Sequence, residues 1–317
     1  MRVQLKAPLI LNLGIFNVSH VCVAGGLSAA FEPFKTIVSA EYCDEDEGVE
    51  IICLNRAQSC RQEELKNIIS RVIPAVEGCV RVTVEETPPH ALILDSKLQL
   101  GIPAIVSIGM LMGFDVDPLV VAKRIGLEGY VTTGLWSLYL GGLAVAGGEE
   151  LSQGVYPLIA RLSIPVTWRF VIITHRECIE KAVPRTDSCP RLDEDTLHRA
   201  AYIVLNKLLP ALSLGDVKSF GNALTLLHRT VSSHLLPHTL GTYSYELEEL
   251  VEMLLRNGAL GAGWSYPLCT VFGVVLGEGM ALDLITNITK QVQRAVGSEV
   301  DIGLLKPVNE GVVRTSK

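Results

Sequence analysis

The segment Gly258-Ala259-Leu260-Gly261-Ala262-Gly263-Trp264-Ser265 decides how the rest of this chain is read. It follows a helical pattern over residues 243–256 and precedes an apolar strand pattern over 270–276. Glycines at 258, 261 and 263 permit a sharp turn or a close approach of backbone to another group. Such a run is a ligand loop in some folds and only a helix C-cap and turn in others, and the residue types leave both open. Gly261, Gly263 and Ser265 are the candidate binding residues of this segment. Trp264 and Tyr266 add flat rings that would serve a stacked ligand or the core.

Two more segments lie upstream. Ala24-Gly25-Gly26-Leu27 follows an N-terminal strand pattern, and His90-Ala91-Leu92-Ile93-Leu94-Asp95-Ser96-Lys97-Leu98-Gln99 opens into an apolar helix over 97–114. Strands are expected over 3–10, 34–43, 49–54 and 79–85, with 34–43 and 49–54 forming a hairpin across the acidic turn 44–48. A helix is expected over 59–76, where Leu65, Ile68, Ile69, Val72 and Ile73 share a face. Another starts at Pro118 with Asp117 as its N-cap. Residues 126–134 read as a loop and 135–148 as a strand or strand pair. Downstream, 168–174, 270–276 and 300–305 read as strands, and 192–209, 215–234, 243–256 and 280–296 as helices. Residues 175–191 read as an exposed polar excursion and 306–317 as a frayed tail. The elements do not alternate strictly, which argues α+β, with domains at 1–160 and 161–317.

Hydrophobic residues make up 49% of the 317 and charged residues 19%, which supplies a large aliphatic core and excludes disorder for the chain as a whole. A net charge of −7 without a basic stretch excludes a broad electrostatic footprint for nucleic acid. The most apolar stretch, 98–114, is short for a membrane span and contains Gln99, Pro103 and Ser107, so it reads as a buried helix. The 8 cysteines form no Cys-x-x-Cys pair and read as scattered thiols of a cytoplasmic protein. Among the histidines, only His234 and His238 have i, i+4 spacing, and Pro237 lies between them. No metal site is expected there.

The three segments, in this order, resemble the three motifs of the GHMP kinases. Gly141-Gly142 followed by Gly147-Gly148, the strand opening Pro165-Val166-Thr167-Trp168-Arg169-Phe170, and Gly215-Asp216-Val217-Lys218-Ser219-Phe220-Gly221-Asn222-Ala223-Leu224-Thr225 narrow the resemblance to the β-ribofuranosylaminobenzene 5'-phosphate synthases. The resemblance implies an N-terminal domain like ribosomal protein S5 domain 2 and a C-terminal ferredoxin-like domain. It also implies a transferase of methanopterin biosynthesis, which joins phosphoribosyl pyrophosphate to a 4-substituted benzoate with loss of carbon dioxide and pyrophosphate. Mg²⁺ would be the cofactor and a small anionic substrate the partner. Separately, the apolar character of the chain leads to the expectation of a homodimer, since closed dimers are the commonest soluble oligomer. Other members of the superfamily phosphorylate small molecules with ATP.

An anionic substrate needs backbone N–H groups at a helix N-terminus and glycines that let it come close. Relatives carry Gly-Leu-Gly-Ser-Gly-Thr-Gln in the second motif, where this chain has Ile93-Leu94-Asp95-Ser96-Lys97-Leu98-Gln99. Asp95, Ser96, Lys97 and Gln99 are therefore candidates for a rebuilt anion site; the alternative is an ordinary helix start capped by Asp95 or Ser96. His90 and Arg169 stand where relatives place a His and an Arg, and both are candidate substrate contacts. Arg176, Arg185 and Arg191 could close over a ligand or form a solvated loop. Elsewhere, charged positions of relatives are lost: Arg-Leu-His-Leu-Gly becomes Ile10-Leu11-Asn12-Leu13-Gly14, and Arg-Ser-Gly-Ile-Gly becomes Tyr130-Val131-Thr132-Thr133-Gly134. No catalytic residue can be assigned. The sequence therefore supports three readings: a synthase-like transferase, a catalytically degenerate protein that binds a small molecule or partner, and a small-molecule ATP kinase.

Overall fold

The computed structural model describes residues 1–19, 22–44, 48–76, 78–127, 129, 131–148, 155–181, 190–296 and 300–315. Its spine is a long antiparallel hairpin of β1 (Arg2–Ser19) and β2 (Cys22–Cys43). Along β1, Val3, Leu5 and Ala7 face one core, whereas Leu9, Leu11, Leu13 and Ile15 face the other. The register shift between Pro8 and Leu9 accounts for the exchange, because one irregular step moves a strand's side chains to the opposite face. The hairpin thereby belongs to both halves of the molecule.

The first half adds β3 (Gly48–Arg56), α1 (Gln62–Ser70), β4 (Cys79–Glu86), α2 (Ile102–Leu111), α3 (Pro118–Arg124), α4 (Val131–Leu140), β5 (Leu143–Gly147) and β6 (Leu158–Leu162). A wide helical turn, Lys97–Gly101, leads into α2. The expected hairpin of residues 34–43 and 49–54 does not form. β4 lies between them, antiparallel to β2 and parallel to β3. The loop and strand expected over 126–148 also give way: 131–140 is the buried helix α4, and only 143–147 is strand. An apolar run cut by glycines reads as strand, but burial on all sides suits helix equally.

The second half contains β7 (Trp168–His175), α5 (Arg176–Lys181), α6 (Glu194–Ile203), α7 (Leu209–Leu214), α8 (Val217–Leu227), α9 (Ser233–Leu240), α10 (Tyr243–Arg256), β8 (Gly261–Trp264), β9 (Thr270–Leu276), α11 (Gly277–Ala295), β10 (Val300–Pro307) and β11 (Val313–Arg314). Its strands run in the order β10-β7-β9-β8, and β10 continues onto β2 through Lys306–Glu32 and Pro307–Phe31. The tail is not frayed as far as residue 315: β11 pairs with β1, and Thr315 N–H donates to Gln4 O at 2.9 Å. Phe31 of β2, edge-on to Phe170 of β7 at 4.9 Å, joins the hairpin to the second half, within which Trp168 packs against Phe220 at 4.9 Å. Among the described residues no helix is long and apolar enough to cross a membrane.

Three disulfides correct the reading of the cysteines as scattered thiols: Cys43–Cys79, Cys53–Cys60 and Cys178–Cys269. Cys43 and Cys79 are register partners across β2 and β4. Cys178 lies in the 175–191 stretch expected to be an exposed excursion, yet it is fully buried in α5. Arg185 of that stretch lies outside the described residues. Sequence spacing could not reveal these pairs, because the topology brings distant residues together. Cystines in this number remove the ground on which a cytoplasmic location was expected.

Candidate functional site

The second segment enters α2 through a turn in which Asp95, Ser96, Lys97 and the Gln99 amide nitrogen bond within the chain, while the buried Gln99 Oε1 has no partner among the described residues. Asp95 Oδ1 accepts from the backbone N–H of Lys97 at 2.6 Å and of Leu98 at 3.3 Å. These are the donors that a helix start would otherwise present to a phosphate. Burial pushes the Asp95 carboxyl above the ordinary carboxylate range, against the opposing pull of the Lys97 N–H and the Lys97 charge. Lys97 Nζ donates to Gly126 O at 2.9 Å, and Ser96 Oγ donates to the Glu64 carboxylate. Gln99 is fully buried, and its Nε2 donates to Pro8 O at 2.8 Å and to Thr36 Oγ1 at 3.3 Å. Of the two sequence alternatives, the capped helix start is the one formed.

The third segment is not a loop. Residues 261–264 form β8, paired to β9. A Cβ on Gly261 would stand 2.0 Å from Gly221 O, and one on Gly221 would stand 2.4 Å from Leu260 O. The glycines let α8 and β8 touch backbone to backbone, a contact that side chains would prevent. Ala262 N–H donates to Thr225 Oγ1 at 2.9 Å, which fixes the same pair of elements. Trp264 and Tyr266 are each 1% exposed and meet edge to face at 5.2 Å, so they are core and not a stacking platform. Ser265 is fully buried, and its Oγ has no hydrogen-bond partner.

Asn12 of β1 bridges the turn after β8 and α4. Its Nδ2 donates to Tyr266 O at 2.8 Å, and its Oδ1 accepts from Thr133 Oγ1 at 3.1 Å. The chain of bonds continues through Ser28 Oγ, which donates to Thr133 O at 2.6 Å and lies 2.7 Å from Ser137 Oγ. All of these side chains are buried. Asn12 and Thr133 stand at positions where the resemblance places a His and the glycine-rich Arg loop. The sequence flagged them only as departures and gave no sign that they would bond to each other.

The remaining candidates do not join this cluster. His90 is exposed in the short turn His90–Leu92. Arg169 opens β7, where Nη1 donates to Val166 O at 2.8 Å and Nη2 lies 3.7 Å from Glu278. Trp264 pairs with Val271, which pairs with Ile173 near the other end of β7. Arg169 and the turn after β8 therefore sit at opposite ends of one strand. A magnesium ion would need clustered oxygen ligands. Asp95 is occupied as a cap, and among the described residues no three His, Cys, Asp or Glu side chains converge.

This architecture is the GHMP-kinase fold, and residues 208–265 match the family described as GHMP kinases C terminal. That stretch ends on Ser265 and spans the Gly221–Gly261 contact. The chain superimposes on homoserine kinase from Cytophaga hutchinsonii with a TM-score of 0.69 at 13% identity, covering 99% of this chain and 97% of that one. It superimposes on the Methanococcus jannaschii mevalonate kinase with a TM-score of 0.66 at 12% identity, covering 98% and 99%. In sequence it is 23% identical over 269 residues to β-ribofuranosylphenol 5'-phosphate synthase of Methanothermobacter thermautotrophicus, covering 76% of this chain and 78% of the relative.

Proposed function

We propose that this chain is a GHMP-fold binding protein whose inherited cleft has become internal structure. The observation that carries this reading is Asp95 Oδ1 at 2.6 Å from the Lys97 N–H, a carboxylate in the place of a substrate phosphate. Like charges repel, so a phosphate would have to displace the cap as well as bind. The Asn12 bonds to Tyr266 and Thr133 support the same reading. Asn12 thereby ties β1 to α4 and to the turn after β8.

The test is ligand-induced stabilisation with Mg²⁺ present. A working site at a ligand concentration of about 100 times Kd raises stability by roughly 2.7 kcal/mol. The expected result is no shift in Tm with millimolar phosphoribosyl pyrophosphate or ATP. A saturable shift with either ligand overturns the proposal.

A second reading, the synthase-like transferase acting on phosphoribosyl pyrophosphate and a 4-substituted benzoate, is favoured by the 23% identity to a named synthase over three quarters of both chains. It requires Asp95 to leave the helix start. Stabilisation by phosphoribosyl pyrophosphate but not ATP selects this reading; stabilisation by ATP alone selects a kinase.

A further inference from the structure

The end of α2 and the length of α3 border an apolar groove of about 480 Å³. Its lining takes in residues 72–75 after α1, Phe114 and Val116 between α2 and α3, and Asp117, Val120 and Arg124 at α3. Two apolar side chains stand out of this patch: Phe114 is 63% exposed and Val120 47%. A projecting aromatic ring and a groove on one patch suit a two-fold interface, because each copy then supplies both the knob and the hole.

The charges of α3 follow the same symmetry. Asp117 caps its start, and Lys123 and Arg124 form its last turn. Val121 and Ala122 are buried while Val120, Lys123 and Arg124 are exposed, so Val120 is at the middle of the outward face. Asp117 and Lys123 each stand three positions from Val120, about 4.5 Å along the axis. Two copies of α3 laid antiparallel about Val120 set the acidic end of each against the basic end of the other and oppose their dipoles. The groove falls into the same register. Arg124 Nη1 donates to Val72 O at 3.3 Å, so residues 72–75 approach α3 at its basic end, whereas Phe114 precedes its acidic end. The antiparallel arrangement therefore carries the Phe114 ring of one copy to the 72–75 wall of the other.

We propose that this face is the contact between two copies of this chain. Val120 lies on the two-fold axis, Phe114 enters the partner's groove, and Asp117 pairs with Lys123 of the partner subunit. The order of charges decides for a second copy over another occupant: acid, apolar, base along one short helix is complementary to its own reversal. The inference is independent of the inherited cleft, since none of the three glycine-bearing segments lines this groove.

Sedimentation equilibrium of the full chain tests the proposal. The parent is expected to dimerise at micromolar concentration. Val120→Glu places two carboxylates at the axis and should leave a monomer. Phe114→Ala and Lys123→Glu should each weaken association about tenfold, since each contact is lost twice across the axis. Asp117→Asn keeps a capping side chain, and combined with Lys123→Glu it removes the like-charge contact and should recover part of the lost affinity. Leu205→Glu, at an exposed site in the second half, should change nothing. All five positions are exposed, and an unchanged circular dichroism spectrum confirms that each variant is folded. A parent that stays monomeric at high micromolar concentration overturns the proposal, and binding of anilinonaphthalene sulfonate that Phe114→Ala removes then gives the groove to a small apolar ligand. A dimer unchanged by Val120→Glu, by Phe114→Ala or by Lys123→Glu overturns it too, as does one broken by Leu205→Glu.

Discussion

Gly221 of α8 and Gly261 of β8 touch backbone to backbone: a Cβ built on Gly261 falls 2.0 Å from Gly221 O. Neither neighbour is the movable tip of a side chain, so the strand or the helix must shift to admit a methyl group. Gly221→Ala and Gly261→Ala should each cost about 2–4 kcal/mol by overpacking and element displacement, read as a lowered midpoint in urea. Gly279 in α11 has nothing within 4 Å of its would-be Cβ. Gly279→Ala should raise stability by roughly 0.5–1 kcal/mol and serves as the contrast.

The raised Asp95 carboxyl gives a signed pH prediction. The folded pKa lies above the unfolded one, so the folded state holds the proton more tightly. The ionised cap thus costs stability above the folded pKa, and the cost disappears as pH falls toward the unfolded value. Asp95→Asn keeps an oxygen acceptor for the Lys97 and Leu98 N–H groups and removes the buried charge. Thermal unfolding should find Asp95→Asn at least as stable as the parent at pH 7, with any gain lost on acidification to about pH 4. Asp95→Ala lacks the cap and should fall about 1 kcal/mol below Asp95→Asn.

Asn12→Ala removes two buried hydrogen bonds, the one Asn12 donates to Tyr266 O and the one it accepts from Thr133 Oγ1, at a cost of about 1–3 kcal/mol in denaturant titration. Thr133→Val removes the hydroxyl at the other end of the Asn12–Thr133 bond. A double-mutant cycle of the two should show a coupling of at least 0.5 kcal/mol, and additive losses would mean that the bond contributes nothing.

Reduction should destabilise the chain unevenly. Cys178 and Cys269 are 91 positions apart, whereas Cys53 and Cys60 are 7 apart. Loop-closure entropy assigns about 4.6 kcal/mol to the first and about 2.5 kcal/mol to the second. The Cys178→Ala/Cys269→Ala pair should therefore lower the unfolding midpoint more than Cys53→Ala/Cys60→Ala. Thiol titration of the unfolded chain without reductant should find none of these six cysteines reactive.

The legible part of this fold was its order of segments. Periodicity located α10 and β9 to the residue, because α10 has a clean apolar face and β9 is a short apolar run closed by glycine. The Asp117 cap was readable for the same local reason, and its side chain accepts from Leu119 N–H at 2.8 Å. What could not be read was set by distant partners. The parallel pairing of β3 with β4 depends on β4 taking the place beside β2. Gly261 and Gly263 left a ligand loop and a structural turn both open because glycine reports only that something comes close; for Gly261 that something is α8, and for Gly263 it is the Phe272 ring at 3.1 Å. Asp95 was foreseen both as a cap and as part of an anion site. Local sequence names the donors it can reach, but burial and the absence of competing acceptors choose between the two.

The pairing of β11 with β1 has a consequence for the order of synthesis. Thr315 and Gln4 bond across 311 positions. The ribosome therefore releases β1 long before the strand that covers its outer edge exists. Until then the nascent hairpin carries an unpaired ladder beside a highly apolar face, the kind of surface that recruits other chains. A growing chain of this topology completes its sheet only after residue 315 has been made, and its yield in the cell will depend on how well that waiting edge is shielded.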